Sequence, residues 1–334
     1  MYNIDNLIEK AHKVVKSHYL GDGKYARFLW QDKANTRMLG VNPYGCADAL
    51  HVLYMINELP TGDEAKACVK ALQDLQDPET GLFTEAPKAY YMHTTAQCLG
   101  ALELFGAKAK HPQKTTLQFF TKEGLKGLMD AIRWQEAPWK DSHLGAGVYA
   151  IGFLSDSVDL EWQNYYFDIL YDNTDPEWGM SRAGKVLTGE TPAPLYHHLN
   201  GWFHYMFNMQ YAKRPLKYPE KFIDTCIKMY KEKLLHPMFA RSVGFSEIDW
   251  VYPLNRAMRE SSHRFEEAQE VLRDFADIYI PYLESLDFET NDPLNDMNPL
   301  CGVICCLAEL QVALPGYIES TKPLRLVLDR RPFI

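Results

Sequence analysis

The chain has 334 residues, of which 46% are hydrophobic and 24% are charged, a balance typical of globular proteins. This length allows one large domain or two ordinary ones, and we predict a single domain over residues 1–334. The formal net charge of −9 argues against a nucleic acid as partner. No run of about 18 apolar residues is present, which argues against a membrane span.

The seven cysteines are an odd number, and three of them, Cys301, Cys305 and Cys306, lie in the apolar run LCGVICCLAEL. Thiols in such a run act as small hydrophobic side chains. The N-terminal stretch lacks the continuous apolar segment of a signal peptide. Reduced cysteines and the lack of a leader together predict a cytoplasmic protein.

Helical periodicity runs through nearly the whole chain, without a convincing series of alternating strand segments. Residues 219–235 and 266–286 repeat apolar side chains every three or four positions, which predicts amphipathic helices. Six other segments are apolar on most faces and predict helices that are covered on most sides. In chain order they are NPYGCADALHVLYMI, HTTAQCLGALELFG, HLGAGVYAIGFL, HLNGWFHYMFNM, DWVYPLNRAM and NPLCGVICCLAEL.

The six apolar segments recur about every 50 residues, which is a repeat signal. The motif D-P-E-x-G begins at Asp77 and again at Asp175, about two such periods later, and each copy precedes an apolar segment. Asp-Pro followed by Gly ends a helix and turns the chain. The repeating unit is therefore an amphipathic helix, a turn and an apolar helix. Six units predict an all-α fold, an (α/α)6 toroid of six helical hairpins, with an open superhelix as the alternative.

Three stretches carry a resemblance to known families. LQDPETGLFTEAPKAYYMHTTAQCLGALELFG (75–106) resembles one repeat of the six-hairpin toroids, which include many glycoside hydrolases and, less closely here, the terpenoid cyclases and prenyltransferases. DPEWGMSRAGKVLTGETPAPLYHHLNGWFHYMF (175–207) is similar in layout to intracellular unsaturated glucuronyl and rhamnogalacturonyl hydrolases, which share the Asn-Gly-Trp found here at residues 200–202. WKDSHLGAGVYAIGFL (139–154) resembles the segment with their catalytic aspartate, which implies that role for Asp141.

In such a toroid the N-termini of the apolar helices open on one face, so the polar and aromatic residues near them are expected to share one pocket. The predicted catalytic residues are Asp141, Asp249 and His198. The predicted substrate-binding residues are Tyr44, His93, Trp139, His143, Asn200, Trp202, Glu247, Tyr252, Asp296 and Asn298. Helix capping explains the Asp and Asn residues equally well, and His204 is expected to be buried or peripheral.

Hydrolysis of a glycosidic bond is the predicted chemistry. Asp141 would be the general acid, with its pKa raised by the aromatic wall around Trp139, and Asp249 or Glu247 would be the base. The predicted substrate is a small oligosaccharide, with uronic-acid-containing oligosaccharides among the candidates, and no cofactor or metal is predicted.

Three alternatives stay open. A lyase or epimerase of similar sugars would abstract a proton with a His or Tyr base. A metal site could use His93, His143 and His198 together with Asp249, although no HExxH pattern supports it. The third alternative is a terpenoid-cyclase-like or non-catalytic toroid that binds a ligand or a protein.

Overall fold

The computed structural model describes residues 1–85, 90–181 and 193–333, and these residues are predominantly helical. The all-α prediction is confirmed, because only two pairs of very short strands occur in these ranges. None of the described helices is both long and apolar enough to cross a membrane. Residues 86–89 and 182–192, which belong to two of the stretches behind the family resemblance, lie outside the described residues.

Twelve α-helices are found in the described ranges. They are α1 (Asp5–Ser17), α2 (Pro43–Met55), α3 (Gly62–Asp74), α4 (Tyr91–Glu103), α5 (Lys122–Asp130), α6 (Pro138–Leu154), α7 (Leu160–Asp172), α8 (Leu195–Tyr211), α9 (Pro219–Lys231), α10 (Ile248–Glu260), α11 (Phe265–Glu284) and α12 (Met297–Ala313). Strand β1 (Tyr2–Asn3) pairs in parallel with β4 (Ile318–Glu319), and β2 (Tyr19–Gly21) pairs antiparallel with β3 (Lys24–Tyr25).

Buried and amphipathic helices alternate along the chain. Every residue of α2 is buried, whereas α3 buries only Cys68, Ala71 and Leu72. The even-numbered helices α2 to α12 are all mostly buried, and they coincide with the six apolar segments of the sequence. The odd-numbered helices bury one face, as the periodicity of 219–235 and 266–286 indicates for α9 and α11.

The buried helices contact one another in a cycle. Each of α2, α4, α6, α8 and α10 packs against the next buried helix, and α12 returns to α2. The pairing of β1 with β4 and the hydrogen bonds from Lys10 Nζ to the carbonyl oxygens of Glu284 and Leu286 also join the two ends of the chain. The cycle therefore closes on itself within the described residues.

Local sequence fixes where two of the buried helices begin. The Asn42 side chain caps α2 by accepting hydrogen bonds from the backbone N–H groups of Tyr44 and Gly45, and Pro43 occupies the first helical position. Asp296 caps α12 by accepting from the N–H of Asn298. These caps hold Tyr44 and Asn298 at the N-terminal ends of their helices.

A glycine lets α6 and α8 approach closely. A Cβ atom on Gly201 would lie 2.6 Å from the carbonyl oxygen of Pro138, well inside van der Waals contact. The two helices also carry His143 and His204, whose rings have centroids 4.7 Å apart. The close approach therefore brings two imidazoles together.

The C-terminal segment packs between α4 and α8. The fully buried Arg331 donates to the side-chain oxygen of Gln97, and the carbonyl oxygen of Pro332 accepts from Asn208. The buried ring of Phe333 packs against His93, with centroids 4.9 Å apart. This segment thus supports the helices from which the histidines project.

Candidate functional site

A cavity of about 200 Å³ is bordered by side chains from all six buried helices and from the loops that precede them. Most of these residues lie at N-terminal ends, which shows that the helix starts converge at one end of the fold. The lining residues are Arg27, Tyr44, Glu85, Tyr90, His93, Trp139, His143, Phe203, His204, Phe245, Asp249 and Asn298. A wider surface depression is lined mainly by charged side chains, among which Glu267 pairs with Arg264 and Lys231, and it resembles ordinary solvated surface.

The residues predicted from sequence divide into two groups. Those that line the cavity are Tyr44, His93, Trp139, His143, Asp249 and Asn298. Those that are not among its described lining residues are Asp141, His198, Asn200, Trp202, Glu247, Tyr252 and Asp296. Lining residues that sequence reasoning did not propose are Arg27, Glu85, Tyr90, Phe203, His204 and Phe245.

Three histidines from three helices meet on the cavity wall. His93 of α4, His143 of α6 and His204 of α8 have ring centroids 4.6, 4.7 and 5.8 Å apart. One side-chain nitrogen of each lies within 4.8 Å of the corresponding nitrogen of the other two. Burial lowers the pKa of His143 to about 4 and the pKa values of His93 and His204 well below 6.5. All three imidazoles are therefore neutral at pH 7.

Hydrogen bonds orient two of these rings. The Ser142 hydroxyl is 2.5 Å from the carbonyl oxygen of Trp139, which can only accept, so the hydroxyl hydrogen points there. The Ser142 oxygen must then accept from Nδ1 of His204, 2.8 Å away. This assignment places the hydrogen of His204 on Nδ1 and leaves a lone pair on Nε2. The hydroxyl of Tyr44 is also hydrogen-bonded to Nδ1 of His93, and either atom can be the donor in that bond.

Asp249 is a buried acid whose surroundings favour its neutral form. It lies on α10 and is 1% exposed, and neither of its carboxyl oxygens has a hydrogen-bond partner among the described residues. Burial, with a further contribution from the negative charge of Glu247, raises the pKa of Asp249 well above its usual value. Its surroundings therefore favour the protonated form of the carboxyl group, and Asp249 is one of the residues that line the cavity.

Glu247 lies next to this acid without lining the cavity. Its side chain is fully buried and accepts hydrogen bonds from the Ala240 N–H at 3.0 Å and the Ser242 hydroxyl at 3.2 Å. Burial raises the pKa of Glu247 to about 7 despite these hydrogen bonds.

Arg27 lines the cavity and forms hydrogen bonds with two acidic residues. Its Nε and Nη2 donate to the two carboxylate oxygens of Asp296 at 2.7 and 2.8 Å, and Nη1 donates to Glu85. Asn42 donates to the other oxygen of Glu85 at 2.9 Å. Burial raises the pKa of Glu85, while the charge of Arg27 opposes that increase. Asp296 thus pairs with Arg27 and caps α12, rather than lining the cavity.

The expectation of a raised pKa for Asp141 is wrong. Burial does favour the proton, but Arg133 outweighs it by donating from Nε at 2.8 Å, from Nη2 at 2.7 Å and from its backbone N–H at 2.9 Å. The pKa of Asp141 is consequently held below its usual value. An ionised carboxylate has no proton to give, so this arrangement argues against Asp141 as a general acid.

The remaining predicted residues lie in the packed interior. His198 is fully buried, with Nδ1 3.4 Å from the carbonyl oxygen of Ser181, and His204 lines the cavity in its place. Trp202 and Tyr252 are fully buried, and Tyr252 packs against Phe203 with ring centroids 5.4 Å apart.

No protein-family model, no curated protein and no solved structure matches this chain. The chemistry of the site must therefore be inferred from its own side chains. They provide one buried acid without a hydrogen-bond partner among the described residues, one acid paired with an arginine, three neutral imidazoles and an aromatic wall.

Proposed function

We propose that the twelve helices form an (α/α)6 toroid and that the cavity at its end is the active site of a carbohydrate-active enzyme, a glycoside hydrolase. The return of α12 to α2 supports a closed ring rather than an open superhelix. The convergence of six helix starts on one cavity supports a site at that end of the ring.

The burial of Asp249 at the cavity, without a hydrogen-bond partner among the described residues, is the observation that carries the proposal. A general acid must retain its proton at working pH, and burial favours this by raising the pKa of Asp249. Asp249 would donate its proton to the glycosidic oxygen as the bond to the anomeric carbon breaks. Glu85, paired with Arg27, would accept a proton from water as the water oxygen bonds to that carbon.

The size and lining of the cavity favour a small sugar. Its volume of about 200 Å³ lies below the roughly 300–1,000 Å³ of pockets for drug-sized ligands. Tyr90, Trp139 and Phe245 offer apolar faces on which a sugar ring can stack. The converging helix N-termini favour a negative substituent, such as the carboxylate of a uronic acid.

A lyase or epimerase is the second candidate, favoured by the three neutral imidazoles on the cavity wall. One of them could accept the proton next to a uronate carboxylate. The products separate the two candidates. In hydrolysis the products together are heavier than the substrate by one water. A lyase forms an unsaturated product and leaves the total mass unchanged, whereas an epimerase changes only the stereochemistry.

The test combines a substrate panel with variants of the acid. Wild-type protein is incubated with neutral and uronate-terminated disaccharides, and released monosaccharide is measured. We expect Asp249→Asn to lower turnover by about 10²- to 10⁴-fold, because it removes the proton and keeps the shape of a neutral carboxyl group. The melting temperature should not fall.

Asp224→Asn is the matched control. Asp224 pairs with His263 and Arg264 on the surface, so this variant should retain full turnover. Absence of sugar release from the whole panel, or full turnover by Asp249→Asn, would contradict the proposed hydrolase.

A further inference from the structure

We infer that His93, His143 and His204 form a site for one transition-metal ion, chemically best suited to Zn²⁺, with an open coordination position toward the cavity. The inference goes beyond the proposed function, because it concerns metal binding and would hold for any substrate. Three imidazoles with a free fourth position are a recognised ligand set of catalytic zinc.

The spacing of the rings suits a tetrahedral ion. Two nitrogens bonded to zinc at about 2.0–2.1 Å lie roughly 3.3 Å apart, which places the ring centroids about 5 Å apart. The observed centroids are 4.6, 4.7 and 5.8 Å apart, with the rings nearly perpendicular. The nitrogens lie within 4.8 Å of one another, so small side-chain rotations would bring them to bonding distance.

The surroundings of the rings resemble the outer shell of a metal site. Ligating histidines usually bond their second ring nitrogen to a fixed partner, which orients the ring. Ser142 is hydrogen-bonded to Nδ1 of His204, and Tyr44 is hydrogen-bonded to Nδ1 of His93. Among the described residues, Nδ1 of His143 is buried without a hydrogen-bond partner.

The three ligands are held on a rigid frame. They project from three buried helices, and Phe333 packs beneath His93 and His204 at centroid distances of 4.9 and 5.9 Å. A preformed site of this kind costs little reorganisation on binding. Imidazole nitrogens favour Zn²⁺, Co²⁺, Ni²⁺ and Cu²⁺ over Mg²⁺ and Ca²⁺.

A second cluster, Asp48, His51 and Cys301, is a weaker candidate. All three residues are buried, none lines the cavity, and Asp48 already accepts hydrogen bonds from Gln97 and Asn298. A bound ion there would have no open position at the cavity and would compete with these hydrogen bonds.

Zinc binding is tested on the untagged full chain after removal of metal by a chelator. Calorimetric titration with Zn²⁺ should show one tight site per chain, and Co²⁺ should give the intense visible spectrum of a tetrahedral nitrogen site. Loss of an outer-shell partner usually weakens metal binding by about 10- to 100-fold. We expect each of the variants His93→Asn, His143→Asn and His204→Asn to weaken Zn²⁺ binding by at least that much. At positions 93 and 204 the shorter Asn side chain can keep a hydrogen bond near the Nδ1 position while it removes Nε2.

His236→Asn is the control for adventitious binding by accessible histidines, since His236 lies outside the cluster, and it should bind like the wild type. If a cluster variant fails to fold, anomalous scattering at the zinc edge from wild-type crystals replaces the variants, with a peak expected among the three rings. No peak there, or Zn²⁺ binding unchanged in the cluster variants, would overturn the site. These measurements need no substrate, so they stand apart from failure of the proposed hydrolase.

Discussion

At the scale of single residues, the site depends on how the surroundings of similar side chains shift their pKa values in opposite directions. Asp141 and Asp249 are both aspartates near the start of a buried helix. Arg133 holds the pKa of Asp141 below its usual value, whereas burial without a hydrogen-bond partner among the described residues raises the pKa of Asp249 well above its usual value. The sequence shows the two as equivalents, because the contact between Arg133 and Asp141 depends on the conformation of the loop before α6.

Glu247 gives the clearest prediction of pH dependence. Burial raises its pKa from 4.5 to about 7 in the folded chain. Between these pH values the unfolded chain releases a proton that the folded chain retains, so the free energy of unfolding falls as pH rises. At about 1.4 kcal/mol per pH unit, the loss approaches roughly 3 kcal/mol by pH 8.

The variant Glu247→Gln should abolish this loss. Its amide oxygen can still accept from Ala240 and Ser242, and it has no proton to release. Urea unfolding of metal-free protein should therefore show the variant more stable than the wild type at pH 8 and nearly equal to it at pH 4. Asp249 titrates in both proteins, so its contribution largely cancels. If the free energies of unfolding of the variant and the wild type differed by the same amount at pH 4 and pH 8, the raised pKa assigned to Glu247 would be wrong.

At the scale of helices, the contact between α6 and α8 determines whether two of the three histidines meet. Gly201 allows this contact, because its missing side chain leaves room for the Pro138 carbonyl group. We expect Gly201→Ala to push α8 away from α6 and to lower the free energy of unfolding by about 1–3 kcal/mol, the usual cost of overpacking. The same shift should weaken Zn²⁺ binding.

Gly127→Ala is the matched control for that prediction. Gly127 lies inside α5, and a Cβ atom there would meet no atom within 4 Å. Replacing such a helical glycine should stabilise the chain by up to about 1 kcal/mol. Guanidinium unfolding gives the free energy of unfolding of each variant. A Gly201→Ala variant as stable as Gly127→Ala would show that the helices tolerate the extra atom.

Sequence periodicity predicted where the helices lie along the chain better than it predicted which face of each helix borders the cavity. The six buried helices were visible because apolar residues cover most of their faces. His204 is expected from the sequence to be buried or peripheral, because it lies about one and a half turns beyond His198. It is buried, and only the packing of α8 places it on the cavity wall. Arg27 and Glu85 lie on loops, where a single sequence carries no periodic signal. One signal in the sequence could have indicated His204 as a site residue, because it is a polar residue within an otherwise apolar helix.

At the scale of the whole molecule, closure of the helical cycle separates the proposed toroid from an open superhelix. In an open array the first and last units have one neighbour each and unfold first. Here α12 contacts α2, and β1 pairs with β4. Every buried helix therefore has two buried neighbours, which leaves no terminal unit free to fray.

Native-state hydrogen exchange tests this closure. We expect the slowest amides of α2 and α12 to open with the same free energy as those of α6 and α8, because all four helices would unfold in one global step. The amides of α5, which buries only Leu125 and Met129, should exchange faster and serve as the internal reference. If α2 or α12 instead opened several kcal/mol more easily than α6, the ends would be independent of each other, and the superhelix would be the better description of the fold.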